Sequence, residues 1–207
     1  SKGHCCPALY AVLADKGYFG KDELATLRKL GSHLQGHPDM RKTPGVDANT
    51  GSLGQGIAIA MGMALAAKHA KKDYRVFTLV GDGECQEGLV WEAAMSAAHY
   101  KLDNFTVIMD HNRLQIDGDN DDVMSLGDIM GKFAAFGFDT YKVDGHDIDS
   151  VTAALKAPFT PGRPKFVCCE TVKGKGVSFM ENKASWHGST IKQADYEAAI
   201  KELKEAL

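Results

Sequence analysis

An aspartate and an asparagine each stand just after a short apolar stretch of the sequence. Asp82 lies between two glycines after the stretch 75–80, and Asn112 closely follows the stretch 105–109. Both stretches are almost wholly apolar, which is typical of strands buried on both faces of a parallel sheet. Because ligands of open α/β sheets bind at the carboxyl ends of strands, we expect the two side chains to converge there. Their oxygens suit Mg²⁺, which takes its other ligands from phosphate and water, so the sequence predicts a site for a magnesium-bound diphosphate.

The two glycines beside Asp82 fit this interpretation. Gly81 and Gly83 carry no side chain, so backbone N–H groups around Asp82 can approach an anion. Two simpler roles are open for the polar residues. Asp82 could cap the helix that follows it, and Asn112 could be an ordinary turn residue.

Helical and extended patterns alternate along the chain. Helices are predicted over 6–16, 22–30, 55–70, 87–100, 147–156 and 193–207, and strands over 75–80, 105–109, 141–143 and 165–171. The segments 41–54 and 112–122 are predicted to be loops, and the helix over 55–70 is expected to be buried. The alternation favours an α/β fold in which helices flank a parallel sheet. No linker or internal repeat divides the chain, so we expect a single domain over residues 1–207.

Composition excludes several classes of partner. The chain has 207 residues, 44% of them hydrophobic, which is enough for one core. Its net charge of -3 and pI of about 6.2 provide no basic surface for nucleic acid or an anionic membrane. No apolar run approaches the roughly twenty residues of a membrane span. The five cysteines include two adjacent pairs, Cys5-Cys6 and Cys168-Cys169, which indicates reduced thiols in a cytoplasmic protein rather than a disulfide framework.

Five motifs in order identify a family resemblance. Gly-Asp-Gly at 81–83 is followed by Asn112, thirty-one positions after Gly81, a pairing that resembles the thiamine diphosphate enzymes. The residues at 81–88 and 112–118 are similar to those of the transketolases among these enzymes. Further landmarks of that family are Lys2-Gly3-His4, Gly36-His37-Pro38, Thr50-Gly51-Ser52-Leu53-Gly54-Gln55-Gly56 and Trp186-His187-Gly188. The resemblance spans nearly the whole chain and implies the thiamine diphosphate-binding fold, in its diphosphate-binding form.

The resemblance implies a metal centre and a cofactor pocket. Asp82, Asn112 and the main-chain carbonyl of Leu114 would hold Mg²⁺, for which Ca²⁺ or Mn²⁺ are possible substitutes. His4, His187 and the backbone N–H of Gly83, with Gly81 beside them, would contact the diphosphate of the cofactor. Residues that would cradle its rings are Gly51, Leu53 and Ile116.

Three residues are expected to take part in catalysis. His37 matches the family histidine that hydrogen-bonds the substrate, and His187 is expected to act in catalysis as well as in cofactor binding. Glu87 matches a glutamate that couples two cofactor-binding halves, and the simpler alternative for it is a contact with the helix dipole. His111, next to Asn112, is left undecided. The acidic run 117–122 is interpreted as a solvated loop.

The implied activity is the transfer of a two-carbon ketol unit from a ketose phosphate to an aldose phosphate. In this family a second, pyrimidine-binding domain activates the cofactor, and nothing in the chain matches that domain. We therefore expect a split transketolase of the pentose phosphate pathway, whose C-terminal partner subunit carries the pyrimidine domain, in a heterotetramer or a homodimer of this fold. Ser1 opens inside a family landmark, so truncation at the N-terminus is expected. Alternatives are a fragment similar to 1-deoxyxylulose-5-phosphate synthase and a non-catalytic assembly module.

Overall fold

Four parallel strands form the central sheet of the computed structural model, which describes residues 1–206. The strands of the chain are β1 (Val76–Gly81), β2 (Phe105–His111), β3 (Leu114–Gln115), β4 (Gly118–Asp119), β5 (Asp139–Asp144) and β6 (Lys165–Glu170). The sheet has the order β1-β2-β6-β5, with every pair parallel, while β3 and β4 form a small antiparallel hairpin. The α/β prediction with a parallel sheet is thus confirmed.

The strand register places the carboxyl ends of β1 and β2 side by side. Gly81, the last residue of β1, lies opposite Asp110 of β2. The N–H of the next residue, Asp82, donates to the carbonyl of Asp110 at 3.2 Å. The loops after β1 and β2 therefore leave the sheet side by side at its carboxyl edge, as expected for a ligand crevice.

Seven α-helices of residues 1–206 surround the sheet or extend from it. They are α1 (Cys6–Asp15), α2 (Gln55–His69), α3 (Gly88–His99), α4 (Asn120–Met124), α5 (Ile129–Phe136), α6 (Ile148–Lys156) and α7 (Gln193–Glu205). The main core lies between one face of the sheet and α2, α3 and α5. A second cluster joins α6 to the other face, and α1 packs on the segment around Leu34 in a third. None of these helices is long and apolar enough to cross a membrane.

Small and aromatic residues explain how the main core closes. The faces of α2 and α3 towards the core are mostly alanine, including Ala64 and Ala94, which are fully buried. The small side chains let α2 approach β1 and let the two helices approach each other. On α5 the ring of Phe133 stacks on Phe166 of β6 with centroids 3.9 Å apart. The aromatic pair fills the space that alanines leave.

Several predicted elements differ from the structure. The helix predicted over 22–30 is a short 3-10 helix, Lys21–Thr26, because the chain turns at Arg28, whose φ is 61°. The loop predicted over 112–122 contains the β3–β4 hairpin and the start of α4. Ile59 on α2 is 40% exposed, so that helix is buried on one face only. The predicted last helix ends at Glu205, and Leu207 lies outside the described residues.

Candidate cofactor site

The site is built around Asp82, which is 2% exposed at the carboxyl edge of the sheet. Its Oδ1 accepts the N–H of Gly83 at 2.7 Å, and its Oδ2 accepts the N–H of Arg113 in the loop after β2. In that loop Asn112 Oδ1 accepts the N–H of Leu114 at 3.0 Å. The structure thus brings Asp82 together with the segment of Asn112 and Leu114. Because each carboxylate or amide oxygen has two lone pairs, the same atoms can also bind a cation.

The two glycines beside Asp82 contribute differently from the expectation. The N–H of Gly81 is not directed at an anion site, because it donates to Glu84 Oε2 at 3.0 Å. The N–H of Gly83 is held by Asp82 itself. A bound phosphate would therefore share or replace the Asp82 contact at Gly83, and Gly81 serves the site by anchoring Glu84.

Glu84 connects three separate segments, a role that was not predicted from the sequence. It is 3% exposed. Its Oε1 accepts the N–H of Gly54 at 2.8 Å and the hydroxyl of Ser1, while Oε2 holds Gly81. A buried carboxylate satisfied by several donors fixes the position of its neighbours. Glu84 therefore ties the N-terminal segment and the 41–54 loop to the end of β1.

Four groups able to carry positive charge gather beside the proposed metal ligands. They are Lys2, His4, Lys173 and His187. Burial, followed by the charges of Lys173, His4 and Lys2, lowers the pKa of His187 to about 4. Burial and then Lys2 also lower the pKa values of His4 and Lys173. Such mutual repulsion in a desolvated site is relieved when an anion binds.

One basic group of this cluster is already neutralised. Lys2 Nζ forms an ion pair with Asp110, which also accepts the hydroxyl of Thr171. Burial lowers the pKa of Lys2, but the Asp110 carboxylate outweighs it, so the pKa is raised overall. His4, Lys173 and His187 are left to face a ligand.

Two side chains of the site carry buried polar atoms that have no hydrogen-bond partner within residues 1–206. They are His187 at Nδ1 and Asn120 at both amide atoms. Asn120 is 4% exposed, and its Oδ1 lies 3.6 Å from the place where a side chain on Gly83 would begin. Orphaned buried groups are rare in folded proteins and often mark a missing ligand. The donors and acceptors present therefore fit a cofactor with a diphosphate.

The remaining landmarks meet at the same place. A side chain on Gly3 would overlap the backbone of Thr50 and Gly51, and one on Gly51 would lie 2.8 Å from the ring of His37. Gly51 also has a φ of 136°, which other residues rarely adopt. The rings of His4 and His187 stack with centroids 5.2 Å apart. Close packing that only glycine allows thus joins the landmarks at 2–4, 36–38 and 50–56. Ring stacking adds the landmark at 186–188.

Helix α1 is hydrogen-bonded to the backbone just before His37. Cys6 Sγ donates to the carbonyl of Gly36 at 3.2 Å, and the hydroxyl of Tyr10 donates to the carbonyl of Gln35 at 2.8 Å. His37 itself is exposed, so its ring is available to a molecule at the mouth of the site.

Three further predicted site residues, in addition to His37, lie on the surface of the chain. Ile116 is 70% exposed and Leu53 is 37% exposed, so residues 1–206 alone do not enclose a ring-binding wall there. Glu87 is exposed at the N-cap of α3, where its side chain makes no capping bond. Its stem packs on Gly54, where an added side chain would lie 2.8 Å from Glu87 Cβ.

Comparison with known proteins finds the family that the sequence motifs resemble, over the whole chain. A family model described as "Transketolase, thiamine diphosphate binding domain" matches residues 1–207. The chain belongs to the transketolase family. The match supports the interpretation of the five landmarks and makes the chain the diphosphate-binding part of a thiamine diphosphate-dependent transferase.

Two relatives and one solved structure show the extent of the similarity. The chain is 42% identical to a subunit of the apulose-4-phosphate transketolase of Phocaeicola vulgatus, over 100% of this chain and 74% of that protein. It is 43% identical to a 6-deoxy-6-sulfo-D-fructose transketolase subunit SqwG of Clostridium sp. strain MSTE9, over 99% and 74%. A crystal structure of the Campylobacter jejuni transketolase superposes with a TM-score of 0.92 at 33% identity, covering 99% of this chain and 33% of that one.

In this transketolase-family site, the residues not predicted from the sequence have roles that depend on distant partners. Glu84 follows the Gly-Asp-Gly motif directly, and Lys2 opens the first landmark, so their positions beside motifs were a usable signal. Lys173 precedes Gly174 in a glycine-containing turn after β6. Asn120 lies in the acidic run that was interpreted as a solvated loop. In the structure, Asp119 of this run caps α4 by accepting the N–H of Asp121 at 2.8 Å.

Proposed function

We propose that this chain holds the magnesium-bound diphosphate of thiamine diphosphate and works as one half of a two-chain transketolase. The observation that carries the proposal is the grouping of His4, Lys173 and His187 beside Asp82 at the carboxyl edge of the sheet. Positive and neutral N–H donors on one side and a buried carboxylate on the other suit the two parts of a metal diphosphate.

Each part of the site has its own task in this proposal. The metal ligands are Asp82, Asn112 and the carbonyl of Leu114, a set of hard oxygens that favours Mg²⁺. His187, whose Nδ1 is buried and unpaired within residues 1–206, donates to a phosphate oxygen together with His4. Lys173 balances the charge of the diphosphate, and the N–H of Gly83 adds a backbone donor.

When bound, thiamine diphosphate supplies the electron sink for breaking a carbon–carbon bond beside a carbonyl group. The residues of this chain bind it and orient its rings, with Gly51, Leu53 and Ile116 against them. His37, exposed at the mouth of the site, donates a hydrogen bond to a hydroxyl of the sugar phosphate. In that position it aligns the substrate for ketol transfer.

The exposed residues of the site support a partner subunit. Leu53, Ile116 and Glu87 form an apolar and acidic surface beside the cofactor position, and a C-terminal transketolase subunit carrying the pyrimidine domain would cover it. Glu87 then lies at the contact between cofactor-binding halves. The names of the two relatives above describe subunits, and by analogy we propose a heterotetramer or a homodimer of this fold.

The same proposal covers the substrates and the cellular compartment of the enzyme. Its substrates are sugar phosphates of the pentose phosphate type. We place it in the cytoplasm, because its five cysteines are free, as is common in a reducing compartment.

A reconstitution assay tests this function. The chain alone, the C-terminal subunit from the same source alone, and the mixture are each incubated with a ketose phosphate, an aldose phosphate, thiamine diphosphate and Mg²⁺. We expect products two carbons longer and shorter only in the mixture, because the group that activates the cofactor lies on the partner. Robust turnover by the chain alone would contradict the split arrangement, and no turnover by a folded mixture would contradict the activity.

A further inference from the structure

A second group of ligand-forming side chains lies on the sheet near the magnesium position. His111 of β2 and Cys168 and Glu170 of β6 place one ligand atom each within 4.8 Å of one another. The Nδ1 of His111 lies 2.9 Å from Glu170 Oε1, and Cys168 Sγ lies 3.7 Å from that nitrogen and 3.9 Å from that oxygen. These residues are not required by the proposed cofactor site.

The strand pairing accounts for the grouping. His111 lies directly opposite Glu170 in the β2–β6 ladder. Cys168 precedes Glu170 by two positions, so both side chains project to the same face of β6. Cys169 projects to the opposite face, where it packs with Ala154 and Val167. Three ligand types are therefore fixed on one face by rigid backbone rather than by a loop.

The distances suit a tetrahedral ion. With metal–sulfur bonds of about 2.3 Å and metal–nitrogen or metal–oxygen bonds of about 2.0 Å, a tetrahedral site places sulfur about 3.5 Å from nitrogen or oxygen, and nitrogen about 3.3 Å from oxygen. The separations observed here are close to these values, and small side-chain rotations suffice to reach them. Thiolate and imidazole also select a softer ion than Mg²⁺.

Arg113 and Lys142 would compete with a metal ion for the carboxylate of Glu170. Glu170 pairs with Arg113 at 2.8 Å and with Lys142 at 3.2 Å. The side chains of both are more than half exposed, so each can turn into water when an ion takes its place. Exposed ion pairs of this kind contribute little stability, although the two charges weaken the attraction for a cation.

We propose that His111, Cys168 and Glu170 form a binding site for a thiophilic divalent cation of the zinc class, with water as the fourth ligand. On binding, a metal–sulfur bond replaces the sulfur–proton bond of Cys168, and the proton passes to the solvent. The ion would link β2 to β6 at the point where the chain leaves the sheet towards Asn112. The proposal is independent of the cofactor site.

Cobalt spectroscopy tests the site without any assay of activity. Co²⁺ is titrated into the untagged full chain in excess Mg²⁺, which occupies oxygen-only sites. We expect a near-ultraviolet thiolate-to-cobalt band and visible tetrahedral bands that saturate at one ion per chain and disappear when Zn²⁺ is added. A full chain without the thiolate band would overturn the proposal.

Variants separate this site from other thiols. Cys168→Ser should lose the thiolate band, whereas Cys169→Ser, on the opposite face of the same strand, should keep it. Glu170→Gln should weaken Co²⁺ binding by about tenfold or more, and Lys142→Met should tighten it by removing a competing charge. If Cys168→Ser does not fold by circular dichroism, the Glu170→Gln titration decides. An unchanged band in folded Cys168→Ser, or unchanged affinity in Glu170→Gln, would contradict the assignment.

Discussion

At the scale of single residues, the site contains basic groups whose pKa values are held below their usual values. His187 is the clearest case, since burial and three neighbouring basic groups lower its pKa to about 4. The buried carboxylates on the other side of the site are satisfied by backbone donors, with Asp82 accepting from Gly83 and Arg113. The crevice therefore brings basic N–H donors and a buried carboxylate together, as binding of a metal diphosphate requires.

His187 makes the stability of the chain depend on pH. The unfolded chain takes up a proton on this ring as the pH falls through 6.5, whereas the folded chain does so only near pH 4. Between these values the unfolded state binds more protons, so the free energy of unfolding falls as the pH falls. We expect His187→Asn to make this fall shallower between about pH 7 and pH 5, measured by urea unfolding.

A histidine outside the site provides the control for that measurement. His69 is exposed at the end of α2, so His69→Asn should leave the pH dependence as in the wild type. Equal slopes for the wild type and His187→Asn would show that burial and the neighbouring charges do not hold the ring neutral.

At the scale of elements, the site is assembled by connections between loops and strand ends. Glu84 is one such connection, because it joins Ser1, Gly54 and Gly81. Because these segments are far apart in the sequence, one side chain determines how the 41–54 loop meets β1. Changes there should affect folding stability as well as ligand binding.

Glu84→Gln tests this connection. The amide can accept at one oxygen only, so its NH₂ group would face a backbone N–H that then lacks a partner. We expect a loss of about 1–3 kcal/mol in the free energy of unfolding, measured by urea denaturation. Glu92→Gln, an exposed change on α3, should stay near the wild-type value. A Glu84→Gln variant as stable as that control would refute the anchoring role.

Helix α5 holds the other side of the main core. Phe133→Ala removes the ring that stacks on Phe166, and a buried cavity of this size should cost about 3–5 kcal/mol of stability. Phe136→Ala on the same helix removes a partly buried ring and should cost clearly less. Chemical denaturation of both variants measures the difference, and equal losses would argue against a core centred on Phe133.

Much of this arrangement could be predicted because the strongest signals in the sequence are local. The apolar strands and the polar residues after them were sufficient to predict that Asp82 and Asn112 lie at one sheet edge. Helix α5 was missed because it is short, although Asp128 caps it by accepting the N–H of Gly131 at 2.8 Å and Gly137 ends it in the left-handed region. The role of Glu84 could not be predicted, since it depends on where the 41–54 loop folds back.

At the scale of the whole molecule, the site is open on one side. Leu53, Ile116 and Glu87 are exposed beside the proposed cofactor position, and the fold corresponds to 33% of the Campylobacter jejuni transketolase chain. The chain provides the diphosphate-binding part of the family fold. We expect the other part of the site to come from a partner that covers this surface.

Calorimetric titration of thiamine diphosphate into the full chain tests the central proposal most directly. We expect binding with Mg²⁺ and little in excess chelator, and thiamine without its diphosphate should not compete, because Asp82, Asn112 and the basic cluster recognise the metal diphosphate. Asp82→Asn should weaken binding by about tenfold or more, while Asp122→Asn, exposed on α4, should bind as the wild type does. Equal affinity for thiamine, or unchanged affinity in Asp82→Asn, would contradict the proposed site.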